Sequence, residues 1–344
     1  MAKLMSVWLA GIVLTFATCL ALQDADAQSL TTEADVTVGA TTENLRAGAT
    51  EVRAFGDVRG WDFYSDASWA TRRGRQSDAF GAAYPYEPKV SLLELKLEKT
   101  EIKGDRLLGV RLGRYRTPFG IYSGSDQGYT GFLRAPLVRD SYYWALSNNY
   151  LETGASVVAG TTWLSAEASA GVASDQDKYA RRGGLNTVIH LQGVRGPWIA
   201  GISYIRTRPS PQWTFARGGA EFKGLDLRWM KGGIQLRGEW IDGHPFLGTR
   251  TRGGYADVLV HRPRMGPVTA IARIERLDYF AGGFSEFPRR YTVGARIRLI
   301  RGLTAEVNHV HQPYDRILDP GHTSLDVALI YSVRTGNLLG RGNR

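Results

Sequence analysis

The sequence predicts an all-β fold, a transmembrane antiparallel up-and-down β-barrel of 14 strands, with 16 strands as the alternative. Three observations support this fold class. Apolar and polar residues alternate along many segments of about 9–11 residues, the length of a tilted membrane strand. Short and long connections alternate between those segments, and the chain begins with a segment that directs export.

Residues 1–27 have the pattern of a signal peptide. Lys3 precedes an apolar run over residues 7–22, and a small-x-small tripeptide follows it and predicts cleavage after Ala27. The run is short for a membrane-spanning helix, which disfavours an uncleaved anchor. Cys19 is the only cysteine and lies within this segment, so we expect a mature chain without disulfide bonds.

Charge and hydropathy limit the architectures that the rest of the chain can adopt. The formal net charge of +10 becomes +11 once the signal peptide is removed, because one Lys and two Asp leave with it. No second apolar run approaches the length of a membrane helix, which excludes helical membrane architectures. Because no Pro- or Ser-rich linker divides the chain, we expect a polar N-terminal segment at 28–50, one barrel at 51–334 and a C-terminal tail at 335–344.

The stretch YTVGARIRLIRGLTAEVNHV, residues 291–310, illustrates the strand pattern. Apolar residues alternate with other residues on both sides of a break at Arg301-Gly302, which predicts two antiparallel strands joined by a tight turn. Fourteen strand-like segments are found, at residues 52–71, 89–99, 106–116, 149–160, 163–173, 186–194, 198–207, 219–230, 234–243, 254–262, 268–279, 289–300, 303–312 and 323–333.

The connections between these segments alternate in length. Short ones such as GTT, KGG and RG are followed by longer ones such as RRGRQSDAFGAAYPYEP and SDQDKYARRGGL. This layout is typical of bacterial outer-membrane barrels, which have periplasmic turns at one end and extracellular loops at the other. A soluble sandwich of Greek keys would scatter its long connections irregularly.

If apolar side chains face lipid, the alternate side chains face a water-filled lumen. The basic residues predicted to line the pore are Lys96, Arg111, Arg228, Arg237, Arg273, Arg296 and Arg298, and the acidic ones include Glu239 and Glu306. Because the wall charges are mixed, the positive excess lies largely at the two rims. Rim arginines favour anionic solutes, and they are equally suited to lipopolysaccharide phosphates, so both interpretations stay open.

The connection at residues 117–148 is the candidate constriction loop. A connection of this length in a compact protein usually has a function. Folded inward it would set the pore diameter, and folded outward it could mediate contacts between the subunits of a trimer. Arg134 and Arg139 are the residues first expected to contact solute. The charged residues assigned to the constriction are Arg134, Arg139, Asp126 and Asp140.

The strand before this loop ends in Gly-Arg-x-x-x-Pro-Phe-Gly. The pattern lies in GVRLGRYRTPFGIY, residues 109–122, where it is carried by Gly113, Arg114, Pro118, Phe119 and Gly120. It resembles phosphate-selective porins of the O/P type and the related porins of dicarboxylate uptake. The resemblance implies passive diffusion of small, usually anionic solutes, often through homotrimers of sixteen-stranded barrels. A further pair of strands would then lie in residues 34–50 or in the long loop.

We therefore expect a porin of the bacterial outer membrane for small hydrophilic solutes, leaning to anions such as phosphate or carboxylates. Outer-membrane lipid and lipopolysaccharide are the expected surroundings, and we expect no cofactor, no metal, no enzymatic activity and no nucleic-acid partner. One alternative is a barrel enzyme, in which His309 and His311 would form half of a metal site. The other is a plugged structural or adhesive barrel, with the segment 28–50 as the plug.

Overall fold

The computed structural model describes residues 27–43, 46–73, 89–121, 131–139, 150–175, 184–208, 219–245, 247–316 and 319–335. These residues form an antiparallel β-sheet. Its strands are β1 (Ala27–Thr41), β2 (Arg46–Val58), β3 (Trp61–Arg73), β4 (Lys89–Lys103), β5 (Arg106–Arg116), β6 (Tyr150–Thr161), β7 (Leu164–Asp175), β8 (Leu185–Arg195), β9 (Trp198–Thr207), β10 (Ala220–Lys231), β11 (Ile234–His244), β12 (Thr249–Val260), β13 (Val268–Ala281), β14 (Phe284–Glu286), β15 (Arg289–Ile300), β16 (Leu303–Arg316) and β17 (Asp319–Arg334).

The sheet closes into a barrel because its first and last strands pair. β1 pairs with β17 from Glu33↔Arg334 to Thr41↔Asp326, and β1 also pairs with β2. Sixteen strands form the closed wall, while the short β14 pairs with β13 alone. The prediction of 14 strands is therefore wrong, and the stated alternative of 16 strands is confirmed.

The two missing strands lie at the N-terminal end. Residues 27–41 form β1 of the wall, so the interpretation of segment 28–50 as a plug is wrong, and the boundary expected at residue 51 falls inside β2. The segment 52–71 is a hairpin rather than one strand. Arg59 and Gly60 form its turn with φ values of 53° and 76°, a pair of positive values typical of a type I′ turn.

The two faces of the wall differ in chemistry. Large apolar side chains such as Leu225, Leu227 and Ile274 are exposed on the outer face, whereas Asp226 and Glu275, their neighbours along the strands, point inward and are buried. This arrangement is the reverse of a soluble sheet protein, whose apolar face would be covered. Within the described ranges, no helix is long and apolar enough to cross a membrane.

Candidate functional site: the barrel lumen and its inner loop

Part of the long loop lies inside the barrel. Residues 131–139 are all buried and end in a single 3-10 turn, Leu137–Arg139. Their backbone is held by side chains of the wall: the Leu133 N–H donates to Asn308 Oδ1 at 2.9 Å, and the Leu137 N–H donates to Glu275 Oε1 at 2.8 Å. A buried loop needs such partners because its backbone polar groups have no access to water. The loop is thus fixed against the inner wall.

Backbone carbonyls of the same loop accept from arginines of the wall. Arg273 Nη1 donates to the Arg134 carbonyl at 3.0 Å, and Arg290 Nη2 donates to the Ala135 carbonyl. Both arginines also pair with carboxylates, Arg273 with Asp257 at 2.6 Å and Arg290 with Glu275 at 2.6 Å. Each carboxylate therefore fixes a guanidinium that in turn fixes the loop.

Arg134 anchors the loop to the closing strand of the barrel. Its guanidinium donates to both carboxylate oxygens of Asp326, at 2.6 and 3.0 Å, and to Glu43 Oε2 at 3.1 Å. Burial opposes the charged form, but the hydrogen bonds and charges of Asp326 and Glu43 outweigh it and raise the pKa of the Arg134 guanidinium. Arg134 is therefore a buried, permanently charged anchor.

Arg139, the last residue of the described loop segment 131–139, forms a second anchor. Its Nε donates to Glu239 Oε2 at 3.1 Å, and its Nη2 donates to Glu239 Oε1 and, at 2.8 Å, to the Phe119 carbonyl. Its guanidinium also lies over the Phe119 ring, 5.0 Å from the centroid. This one side chain thus joins the wall to two parts of the loop.

The Pro-Phe-Gly motif has a packing role in this arrangement. Phe119 lies against Gly224, where an added Cβ would be 2.8 Å from Phe119 Cζ. Gly120 has φ +62 and lies against the Arg139–Glu239 pair, so only glycine fits there. Around Phe119 the inner wall is apolar, with Val188, Ile205, Phe222, Ile241 and Leu277 among the buried residues. The loop covers this apolar side of the lumen.

Charged side chains on other parts of the wall keep contact with solvent. The side chains of Lys96, Glu98 and Arg296 are 20%, 29% and 30% exposed, whereas those of Glu239 and Asp257 under the loop are 0% exposed. The partly exposed charged side chains inside the barrel thus include those on β4, β5, β7 and β15. These charges are paired: Arg111 bridges Glu98 at 3.1 Å and Glu167 at 2.7 Å.

The residues predicted to line the pore divide into two groups. Lys96, Arg111 and Arg296 are partly exposed and pair with Glu94, Glu98 and Glu306 respectively. Arg237 and Arg273 are buried, and both form ion pairs with Asp257. Arg228 donates to Gln192 at 2.8 Å, and Arg298 is exposed at the turn-side end of β15. Asp126 and Asp140 lie outside the described residues.

Sequence reasoning missed several residues that hold the loop, among them Arg290 and Asn308. Arg290 shares the parity of Arg296 on its strand, so the period-two pattern places it inside the barrel. Its role could not be read from parity because its partners lie far away in sequence: Arg290 contacts Ala135 across 155 positions, and Asn308 contacts Gly131 across 177.

The histidine pair weighed for metal binding lies on the outside of the barrel. His309 and His311 are exposed, and the His311 ring stacks on Tyr291 at 6.4 Å. In the part of the chain that the structure describes, no group of three or more His, Cys, Asp or Glu residues is placed to hold a metal ion.

A closed sixteen-stranded barrel with a loop folded into its lumen defines a porin-type barrel. The comparisons with known proteins agree on that fold. OmpF of Salmonella typhi, solved with daunomycin, matches with a TM-score of 0.60 and 10% identity over 88% of this chain and 97% of its own. An anion-selective porin from Comamonas acidovorans matches with a TM-score of 0.55 and 12% identity, over 89% and 99%.

OccAB4 of Acinetobacter baumannii is a third similar structure, with a TM-score of 0.51 and 8% identity over 90% of this chain and all of its own. No protein-family model matches the sequence, and no curated protein matches it either. At these identities the similarity establishes the fold alone.

Proposed function

We propose that this chain is a porin of the bacterial outer membrane, exported by a signal peptide cut after Ala27, and that it passes small hydrophilic solutes by passive diffusion. The observation that carries the proposal is the division of the lumen. An inner loop is anchored over the apolar side by Arg134 and Arg139, and solvent-accessible charged residues line the other side. The described part of the loop, held in this way, narrows a pore along one side.

Arg134 and Arg139 position the loop in this proposal rather than contact solute. Both guanidinium groups are buried and occupied by carboxylates. Solute would instead meet Lys96, Arg111 and Arg296, together with the acidic residues that pair with them. Paired charges of both signs order water across a pore and give mild selectivity.

A preference for anions is the finer part of the proposal. It is supported by the net charge of the chain and by exposed basic residues at the turn-side rim, including Arg195, Arg262 and Arg301. Such rims raise the local concentration of anions such as phosphate and carboxylates. The Pro-Phe-Gly motif resembles that of phosphate-selective and dicarboxylate porins. We therefore include anionic solutes of these classes, and a homotrimer, in the proposal.

The two rival functions have less support. An enzyme would need a nucleophile with its base, or a metal cluster, in an accessible place. The His309–His311 pair faces outward, and the acidic residues of the wall are mostly held by arginines. A plugged barrel loses its candidate plug because segment 28–50 belongs to the wall.

The test is electrical. The refolded mature chain would be reconstituted in a planar bilayer, with single-channel conductance and the reversal potential across a KCl gradient as readouts. Discrete open steps with a chloride-favouring potential support an anion porin, and steps without selectivity support a general pore. A folded, heat-modifiable barrel that does not conduct would remove the proposal.

A further inference from the structure

A groove runs along the outward face of β10 to β15. Its floor consists of small residues: Gly238 and Ala256 are register partners, and Gly254 is the next residue on the same face of β12. Bulky side chains flank this floor, namely Leu225, Leu227 and Trp240 on one side and Ile274 and Tyr291 on the other. The open groove has a volume of about 640 Å³, within the roughly 300–1,000 Å³ of small-molecule sites.

The loop-side end of the groove is basic. Arg276 and Arg289 are register partners that line it, and Arg252 lies one strand away. Asp278 accepts from Arg276 at 2.9 Å and from Arg252 at 3.3 Å, and the two arginine side chains stay 51% and 43% exposed. No carboxylate of the described residues pairs with Arg289. Three arginines to one aspartate leave a net positive charge there.

We propose that this groove binds a phosphorylated lipid of the outer leaflet, with an acyl chain over Gly238 and Ala256 beside the Trp240 ring, which covers Gly254, and a phosphate at Arg276 and Arg289. The inference rests on the proposed function, because the groove faces lipid only in a membrane-spanning barrel. The guanidinium fork matches phosphate geometry. Gly238 and Ala256 carry nothing larger than a methyl group, so the floor lies below the bulky side chains that flank it.

Charge favours a lipid over a second copy of the chain as the occupant. The chain carries a formal net charge of +10, so a second copy would bring more positive charge to an end that is already basic. A phosphorylated lipid brings negative charge at one end and apolar chains at the other. That polarity matches the groove, which is basic at its loop-side end and apolar below.

Two independent variants test the two halves of the site. Arg276→Gln with Arg289→Gln removes the basic end, and Ala256→Leu fills the floor. The matched controls are Arg195→Gln with Arg262→Gln, which removes the same charge from the turn-side rim, and Ala168→Leu, which adds the same bulk to the exposed outer face of β7. Heat-modifiability on gels verifies that every variant folds.

The measurement is native mass spectrometry of the refolded full chain in detergent with purified lipid A. We expect one retained lipid per wild-type chain, about tenfold weaker retention in both groove variants, and unchanged retention in both controls. Equal retention in all variants would overturn the proposal. So would displacement of the lipid by millimolar inorganic phosphate, or an Ala256→Leu chain that keeps its lipid and loses an oligomer, since the groove would then join copies.

Conductance of the same preparations keeps this proposal separate from the porin itself. The groove variants are expected to conduct like wild type in 1 M KCl, where charges at the rims are screened, because the groove lies outside the lumen. A chain that retains lipid A and does not conduct would remove the porin proposal and leave the lipid site standing. A chain that conducts and binds no lipid A would remove the lipid site and leave the porin proposal standing.

Discussion

Much of the loop's attachment to the wall depends on one guanidinium, that of Arg139, which pairs with Glu239. Glu239 is fully buried beneath the loop, and the Arg139 side chain is 1% exposed. Removing one member of a buried ion pair leaves the other charge without compensation, which costs about 3–5 kcal/mol. The pair is therefore a point at which a single substitution would disturb both the loop and the barrel.

We predict that Arg139→Gln lowers the free energy of unfolding by about 3–5 kcal/mol and increases open-channel current noise, because the loop loses its anchor over Glu239. Urea unfolding in lipid vesicles and single-channel recording would measure the two effects. Arg195→Gln at the exposed rim serves as the control. The double variant Arg139→Gln with Glu239→Gln should recover much of the stability, and a double variant as unstable as the single one would contradict the ion-pair explanation.

Arg111 and Glu167 provide a matched pair of variants on the accessible side. Arg111→Gln frees Glu98 and Glu167 from their shared cation and should shift the reversal potential toward potassium. Glu167→Gln removes one carboxylate and should shift it toward chloride. Both are read in the same KCl gradient. Shifts in the same direction, or none, would show that solute does not pass beside this part of the wall.

The turn Arg59–Gly60 shows how a tight turn can be strained by its own sequence. Arg59 is the one non-glycine residue with positive φ in the described chain. A left-handed conformation costs an ordinary residue about 1–2 kcal/mol, and asparagine tolerates it better at the first position of a type I′ turn. The Arg-Gly sequence is also a weak turn signal, which is why 52–71 was interpreted as one strand.

We predict that Arg59→Asn raises the free energy of unfolding by up to about 1 kcal/mol, because it relieves the left-handed strain. Arg106→Asn is the control, since Arg106 is also exposed but is not among the residues with positive φ. The urea midpoints of both variants would be compared with wild type. An equal shift in both would assign the effect to lost charge rather than to the backbone.

The contact of Phe119 with Gly224 makes a loop position depend on a strand residue. We predict that Gly224→Ala displaces Phe119, because the new Cβ would lie 2.8 Å from its ring, and that channel current becomes noisier while β-content stays unchanged. Gly193→Ala is the control, since its Cβ would meet nothing closer than 3.9 Å. Identical recordings for the two variants would mean that Phe119 does not hold the loop.

Most of the wall was predictable because lipid and water impose a period of two on each strand. β1 was missed because its Thr, Glu and Ala residues lack the large apolar side chains seen elsewhere. The inner loop was predicted as a candidate constriction, but the way in which it is attached to the wall was not predicted. Arg134 and Asp326 are 192 positions apart, and no local pattern reports which carboxylate a loop arginine will meet.

The charge of the whole molecule is distributed in a way that makes selectivity depend on salt. Most of the arginines described inside the barrel are paired with carboxylates, so they add little net field. Exposed arginines of the turn-side rim, such as Arg195, Arg262 and Arg301, are in contact with solvent, and their field extends about 10 Å at 0.1 M salt but only about 3 Å at 1 M. A preference set at the rims should therefore weaken as salt is added.

We predict that the chloride preference measured near 0.1 M KCl falls toward zero near 1 M, because screening shortens the field of the rims. Removing the turn-side charges with Arg195→Gln and Arg262→Gln should reduce the preference at low salt and change nothing at high salt. The shift caused by Arg111→Gln should survive at high salt, since that side chain is 20% exposed within the lumen. A chloride preference that persists undiminished at 1 M would locate selectivity at the lumen wall.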